Sequence, residues 1–332
     1  MVNFIEAQKP LLSWLMKMAG LRPIEVELEP GTNMHFWAPK HHVGKKGTTI
    51  SPLEPAATGA KKPGRKGRKK NPESRPNVVL IHGFAAEGNI TWQFNFGVLV
   101  SRYNVYIPDL MFFGKSSTSS GDRSPDYQAE CVAGALARLG VVRCDVVGFS
   151  YGGMVAFKLA EARPELVRSL CVSGSVVAMT DAVNRETMER LGVGSSAELL
   201  MPETLKGLKA LLSISMYKRM WFPDRFYKDY LKVMFTNRKE RMELLQGLII
   251  SNLDAKIPTF QQKIMLLWGE EDKIFDMELA KKMKEQLGDN CYLHGIPKGG
   301  HLLHVERPCA YNRQLQRWLA YVNSPLEEGE AS

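Results

Sequence analysis

Gly148-Phe149-Ser150-Tyr151-Gly152 decides how this chain folds. The five residues spell G-x-S-x-G. Cys144-Asp145-Val146-Val147 before them is a short apolar strand pattern, and Gly153-Met154-Val155-Ala156-Phe157-Lys158-Leu159-Ala160 after them is a helical one. Strand, sharp turn and helix are the setting a nucleophile elbow needs. Such a turn strains the backbone of its central residue, so only glycine fits beside it. The strain aims the Ser150 hydroxyl outward, and the helix N-terminus behind it favours developing negative charge.

A serine hydroxyl is a weak nucleophile alone and needs a base, an acid to orient the base, and donors for an oxyanion. Lys263-Ile264-Met265-Leu266-Leu267-Trp268 reads as a buried strand, followed by Gly269-Glu270-Glu271-Asp272. Asp272 stands at the loop position expected of the acid. Glu270 and Glu271 lie closer to the strand, and Asp276 lies about a turn too far. The base is read as His301, in Gly299-Gly300-His301 after the short strand Cys291-Tyr292-Leu293-His294-Gly295-Ile296. His304, followed by Val305-Glu306-Arg307-Pro308, is expected to pack or to cap the start of the last helix. Asn77-Val78-Val79-Leu80-Ile81-His82-Gly83-Phe84 is a central-strand run. Its end places the oxyanion hole at the backbone N–H groups of Phe84 and Tyr151. The Phe84 side chain is then free to line the acyl pocket, and His82 reads as structural. The His-Gly-Gly-Gly stretch of one lipase and carboxylesterase branch does not occur.

With these residues in view the chain resembles the α/β-hydrolase superfamily, in particular epoxide-hydrolase-like and monoacylglycerol-lipase-like proteins, and among them plant members. The resemblance rests on His82-Gly83-Phe84, on Tyr106-Ile107-Pro108-Asp109-Leu110 with Gly114-Lys115-Ser116, on Gly148 to Gly153, on Trp268 to Asp272 and on Gly300-His301. It implies an α/β fold with a mostly parallel sheet flanked by helices and an inserted helical cap. It also carries the nucleophile, acid and base to Ser150, Asp272 and His301. The similar epoxide hydrolases and haloalkane dehalogenases use an aspartate at the elbow. Serine there implies acyl transfer instead.

At 332 residues the chain can bury one large core with an insertion. Its 44% hydrophobic and 24% charged residues are ordinary for a soluble protein. Five cysteines with no paired spacing suit a reducing compartment, so a cytoplasmic location is expected. No metal-ligand cluster is visible, His41-His42 reads as solvated, and the chemistry calls for no cofactor.

Net charge is +9, and residues 40–75 account for it with 11 Lys/Arg against 2 Glu, leaving 33 of each sign elsewhere. That segment has almost no large apolar residues and reads as a disordered basic loop. Its run at residues 61–70 admits a nuclear localisation signal or an anionic-membrane patch, but a solvated insertion without a partner is the plainer reading. No aromatic residue interleaves these charges, so nucleic-acid binding is not expected.

The apolar stretch from Phe4 to Leu21 predicts a helix beginning at Pro10 and stopping at Gly20. It is too short to span a bilayer and is a poor signal peptide. It either packs on the body, the preferred reading, or makes peripheral membrane contact.

The chain divides into the helix (1–23), a first core part (24–175), a helical cap (176–258), a second core part (259–322) and a tail (323–332). From the cap, Met216, Met220, Trp221, Phe222, Phe226 and Tyr230 are expected, with Phe84, to line the substrate pocket. The expected activity is hydrolysis of a small or medium hydrophobic carboxylic ester, such as an aromatic or benzyl ester. A monoacylglycerol lipase or thioesterase is the alternative within enzymes. A slow-turnover ligand receptor on the same scaffold is the alternative outside them.

Overall fold

The computed structural model describes residues 3–42, 49–50, 74–218, 221–254 and 257–324. Its centre is a nine-stranded sheet. In chain order the strands are β1 (Leu21–Glu29), β2 (Thr32–Pro39), β3 (Thr49–Ile50), β4 (Asn77–Ile81), β5 (Asn104–Pro108), β6 (Cys144–Phe149), β7 (Val167–Ser173), β10 (Lys263–Gly269) and β11 (Cys291–Ile296). A short pair, β8 (Met179–Thr180) and β9 (Ile249–Ile250), stands apart. The spatial order is β11-β10-β7-β6-β4-β5-β2-β1-β3. From β11 across to β5 every pairing is parallel, while the β1–β2 hairpin joins β5 antiparallel through Phe36 and Trp37. The central strands are apolar along nearly their whole length, because both faces are covered.

The flanking helices include α4 (Pro125–Arg138), α5 (Tyr151–Ala162), α11 (Met277–Leu287) and α13 (Pro308–Val322), with the short α2 (Gly88–Thr91), α3 (Phe96–Leu99) and α12 (Leu303–Glu306) at strand ends. Between β7 and β10 run five helices, α6 (Asp181–Leu191), α7 (Ser196–Leu200), α8 (Leu205–Ser215), α9 (Asp224–Met234) and α10 (Arg238–Leu248). Three of them start on a side-chain cap, with Thr180, Ser195 and Thr204 accepting from the amides of Val183, Glu198 and Gly207. The two ends of this insertion meet where Met179 and Thr180 pair with Ile249 and Ile250.

The N-terminal helix α1 runs Phe4–Met18, so it begins earlier than Pro10. The Asn3 side chain accepts from the amides of Ile5 and Glu6, and this cap sets the start. Pro10 therefore falls inside the helix. Ile5, Leu12 and Met16 bury against the body, the Phe4 amide donates to Asp229 of α9, and Lys9 pairs with Glu87 at 3.0 Å. Within the stretch read as a disordered basic loop, Thr49 and Ile50 form a two-residue strand that pairs parallel with β1. The run at 61–70 lies outside the described residues.

Candidate active site

Ser150 sits between β6 and α5 at φ 53° and ψ −122°, a strained backbone for a residue with a side chain. Its neighbours explain how the strain is held. A Cβ on Gly148 would lie 2.6 Å from the Gly152 carbonyl and 2.7 Å from Gly153 Cα. A Cβ on Gly152 would strike the carbonyls of Ile81 and His82 at the end of β4. The Ser150 amide donates to Ser173 at 2.9 Å, and the Ser175 hydroxyl donates to the Ser150 carbonyl at 2.7 Å. The turn is thus clamped from both sides and the hydroxyl points out.

His301 meets that hydroxyl, with Nε2 3.1 Å from Ser150 Oγ. Its Nδ1 lies 2.9 Å from Asp272 Oδ2, and the other carboxylate oxygen accepts from the amides of Ile274 and Phe275 at 2.8 and 3.0 Å. A carboxylate only accepts, so Nδ1 carries the proton and Nε2 is left to receive one from serine. The competing acids are engaged elsewhere. Glu271 accepts from the Gly299 amide, and Asp276 caps α11 through Leu279.

Two residues that the sequence did not single out hold this geometry. Gly174, at φ 52°, passes so close that a Cβ would lie 2.8 Å from His301 Nδ1 and 3.2 Å from Asp272 Oδ2. Glu306 accepts from the amides of Gly300, Tyr217 and Lys218 at 2.8, 3.1 and 3.1 Å, tying the histidine loop to the inserted helices. A Gly ending a strand and an acid five residues after a histidine were the only signals for them.

The end of β4 approaches the elbow on the side where the sequence places the oxyanion hole. A Cβ on Gly83 would lie 3.3 Å from Ser150 Cβ, so the residue before Phe84 runs beside the serine. The Tyr151 amide is the first of α5 and has no intrahelical acceptor by its position. The Phe84 ring meets Phe113 and Tyr151 edge-on at 5.4 and 5.7 Å. His82 is fully buried, with Nδ1 donating to the Gly83 carbonyl and Nε2 accepting from the Leu110 amide, and burial lowers its pKa. It serves as a neutral strut. His304 packs on Phe149 and Trp92 at ring separations of 4.3 and 5.3 Å, with Nδ1 unpaired. Burial, reinforced by His301, pushes its pKa down to about 3.

Ser150 and His301 open into a cavity of about 360 Å³. Phe84, Met216, Phe222, Phe226 and Tyr230 line it, and the Tyr230 hydroxyl donates to the Ala85 carbonyl at 3.1 Å. Trp221 does not. It follows the α8 end, stands 84% exposed and borders an adjoining depression with Lys209 and Tyr227, which shares Leu212, Met216 and Phe222 with the cavity. Composition names a large side chain but not its direction, which is why it was misplaced. Met220 lies outside the described residues. The sequence missed Leu208, Leu211, Leu212 and Ser215, whose i, i+3, i+4, i+7 spacing marks one face of α8, and also Ile5 and Gln8 of α1. Among the described residues no Lys or Arg lines the cavity, and no group of three potential metal ligands occurs.

Known proteins agree with this architecture. The chain is 25% identical over 256 residues to a 2-hydroxy-6-oxo-6-phenylhexa-2,4-dienoate hydrolase of Burkholderia cepacia, covering 73% of this chain and 87% of the relative. It is 23% identical over 264 residues to the human monoacylglycerol lipase ABHD6, covering 76% and 78%. A solved dienoate hydrolase of Rhodococcus sp. strain RHA1 superposes with a TM-score of 0.68 at 18% identity, covering 90% of this chain and 98% of that one. Residues 78–314, from β4 into α13, match the Alpha/beta hydrolase family, and the chain belongs to it.

Proposed function

We propose that the protein hydrolyses small to medium hydrophobic carboxylic esters through a serine acyl-enzyme. The observation that carries this reading is the relay from Asp272 through His301 to Ser150, opening into an apolar cavity. His301 Nε2 takes the hydroxyl proton as Ser150 Oγ attacks the ester carbonyl. The Phe84 and Tyr151 amides hold the oxyanion. The intermediate collapses, and the leaving alkoxide takes the proton from Nε2. A water then gives its proton to Nε2 while its oxygen attacks the acyl carbon. The acid leaves, and Ser150 recovers the proton.

Among such esters a monoacylglycerol is favoured by the similarity to ABHD6 and by a cavity able to hold an acyl chain. The dienoate hydrolases act on substrates bearing a carboxylate. A cavity lined, among the described residues, by no Lys or Arg offers that charge no ion-pair partner of that kind, which favours a neutral ester.

The test is multiple-turnover hydrolysis of a panel of chromogenic acyl and benzyl esters, a monoacylglycerol and a dienoate, with Ser150→Ala alongside. Turnover of the neutral esters at ~1–1000 per second, lost in the variant, is expected. Turnover of a few cycles per hour with a ligand still held would replace the reading with a receptor. Preference for the dienoate would replace it with carbon–carbon bond hydrolysis.

A further inference from the structure

Helix α1 is apolar over more of its circumference than the fold uses. At 100° per residue, Ile5, Leu12 and Met16 fall in one line and are buried. Phe4, Leu11, Trp14, Leu15 and Met18 fall on the adjoining sector, roughly 100° wide. They stand 57, 59, 55, 44 and 70% exposed. Glu6, Lys9, Ser13 and Lys17 take the remaining side. Single exposed apolar residues are ordinary, but five on one face of one helix mark a contact surface.

That face borders the cavity. Gln8 lies between the two sectors, is exposed, and lines the cavity, as does Phe94 at 51% exposure. The cavity therefore reaches the surface beside the apolar face of α1.

We infer that α1 lies in the surface of an anionic lipid bilayer, with its outer face among the acyl chains, and that the cavity draws its ester from that bilayer past Gln8 and Phe94. Charge selects lipid over a second copy of this chain. The surplus of +9 lies wholly in residues 40–75, so an anionic surface attracts each copy through that segment, while two copies carry the same surplus and gain no charge complementarity from each other. Trp14 supplies the amphipathic aromatic that settles at headgroup depth. With 15 residues α1 does not cross a bilayer, and among the described residues no helix is long and apolar enough to do so, so α1 lies in the plane. The drawing of ester from the bilayer rests on the proposed esterase activity, whereas the docking does not.

The whole chain is floated with vesicles of phosphatidylcholine alone and with vesicles containing about one-third phosphatidylserine. Binding to the anionic vesicles that weakens with added salt is expected. The Leu11→Glu/Trp14→Glu double variant, altered only at exposed positions, should keep its circular dichroism and its rate on a short soluble ester. Its vesicle partition should fall about tenfold or more, and hydrolysis of a vesicle-embedded ester should fall in step. No vesicle binding by the wild type, or binding untouched in the variant, overturns the docking. So does a wild-type dimer that the variant dissolves while neither form binds vesicles. Vesicle binding without hydrolysis of any ester leaves the docking standing and overturns the esterase reading.

Discussion

Two buried histidine–aspartate pairs lie in this molecule, built from the same parts. His301 Nδ1 is 2.9 Å from Asp272, and His35 Nδ1 is 2.8 Å from Asp109. Each has a serine nearby, Ser150 in one case and Ser116 in the other. The difference lies in what the serine does. Ser116 Oγ donates to the Asp109 carbonyl at 2.6 Å and accepts from the His35 amide at 2.9 Å, so its hydroxyl is spent on backbone. Ser150 is held by its main chain alone, and its hydroxyl faces His301 and a cavity. Asp109 also accepts from the Gly88 amide at 2.8 Å, stitching β2, the β5 end and the turn before α2 together. Burial pushes the Asp109 carboxyl up, but the hydrogen bonds from His35 and the Gly88 amide and the nearby imidazoles of His35 and His82 together hold it below its ordinary value. One pair is thus a brace and the other a relay. Residue type and hydrogen-bond length do not tell them apart, whereas the backbone of the serine does.

The sharpest test of this contrast is the serine at the elbow. Ser150→Ala should lower kcat by at least ~10⁴-fold with the fold intact, read by ester turnover and circular dichroism. Asp272→Asn should follow, at about 10³–10⁴-fold in kcat with little change in KM, because the amide leaves the imidazole in the wrong tautomer. Asp109→Asn reverses the pattern. It should lower the unfolding free energy by about 3 kcal/mol, measured by urea titration, and leave turnover per folded molecule within about threefold. A large kcat loss in that variant at unchanged stability would break the distinction between brace and relay.

His304 gives a finer measure. Its pKa is about 3 in the folded protein against ~6.5 in an unfolded chain. Between these values the unfolded state binds the proton that the folded state refuses, so stability falls as pH drops below ~6.5. From pH 7 to pH 5 this one group should cost the wild type about 2 kcal/mol, and His304→Phe should flatten that acid limb. The smallest effect is expected for Ser116→Ala, about 1 kcal/mol of stability and no change in kcat.

The fold was legible because the core strands are mostly apolar, broken only by residues such as Asp145 and Arg168, and the elbow names both its glycines and its flanks. His301 could be told from His304 by the Gly-Gly before it, which lets the loop reach the serine. What stayed hidden depends on approach between distant segments. Gly174 matters because the His301–Asp272 bond passes over it, and Glu306 because Tyr217 and Lys218 come to meet it. Neither fact leaves a local pattern. The Pro10 start of α1 yielded to a stronger cap at Asn3, and no local pattern marks Trp221 as an exposed side chain. The contribution of α1 to the cavity was invisible, since nothing in residues 4–18 says which surface their buried line meets.

The pairing of β8 with β9 has a consequence for how this protein can change. It closes the inserted helices at a neck of two residues on each side, Met179–Thr180 against Ile249–Ile250. The core therefore sees a short bridge rather than a long excursion, and most of the closure entropy is settled at that neck. Beyond it, helices can be lengthened, shortened or exchanged while the sheet and the relay keep their register. Selection for new substrates can rewrite the insertion provided its ties to the core are kept, above all those of Tyr217 and Lys218 to Glu306 and of Asn237 and Arg241 to the Phe112 carbonyl.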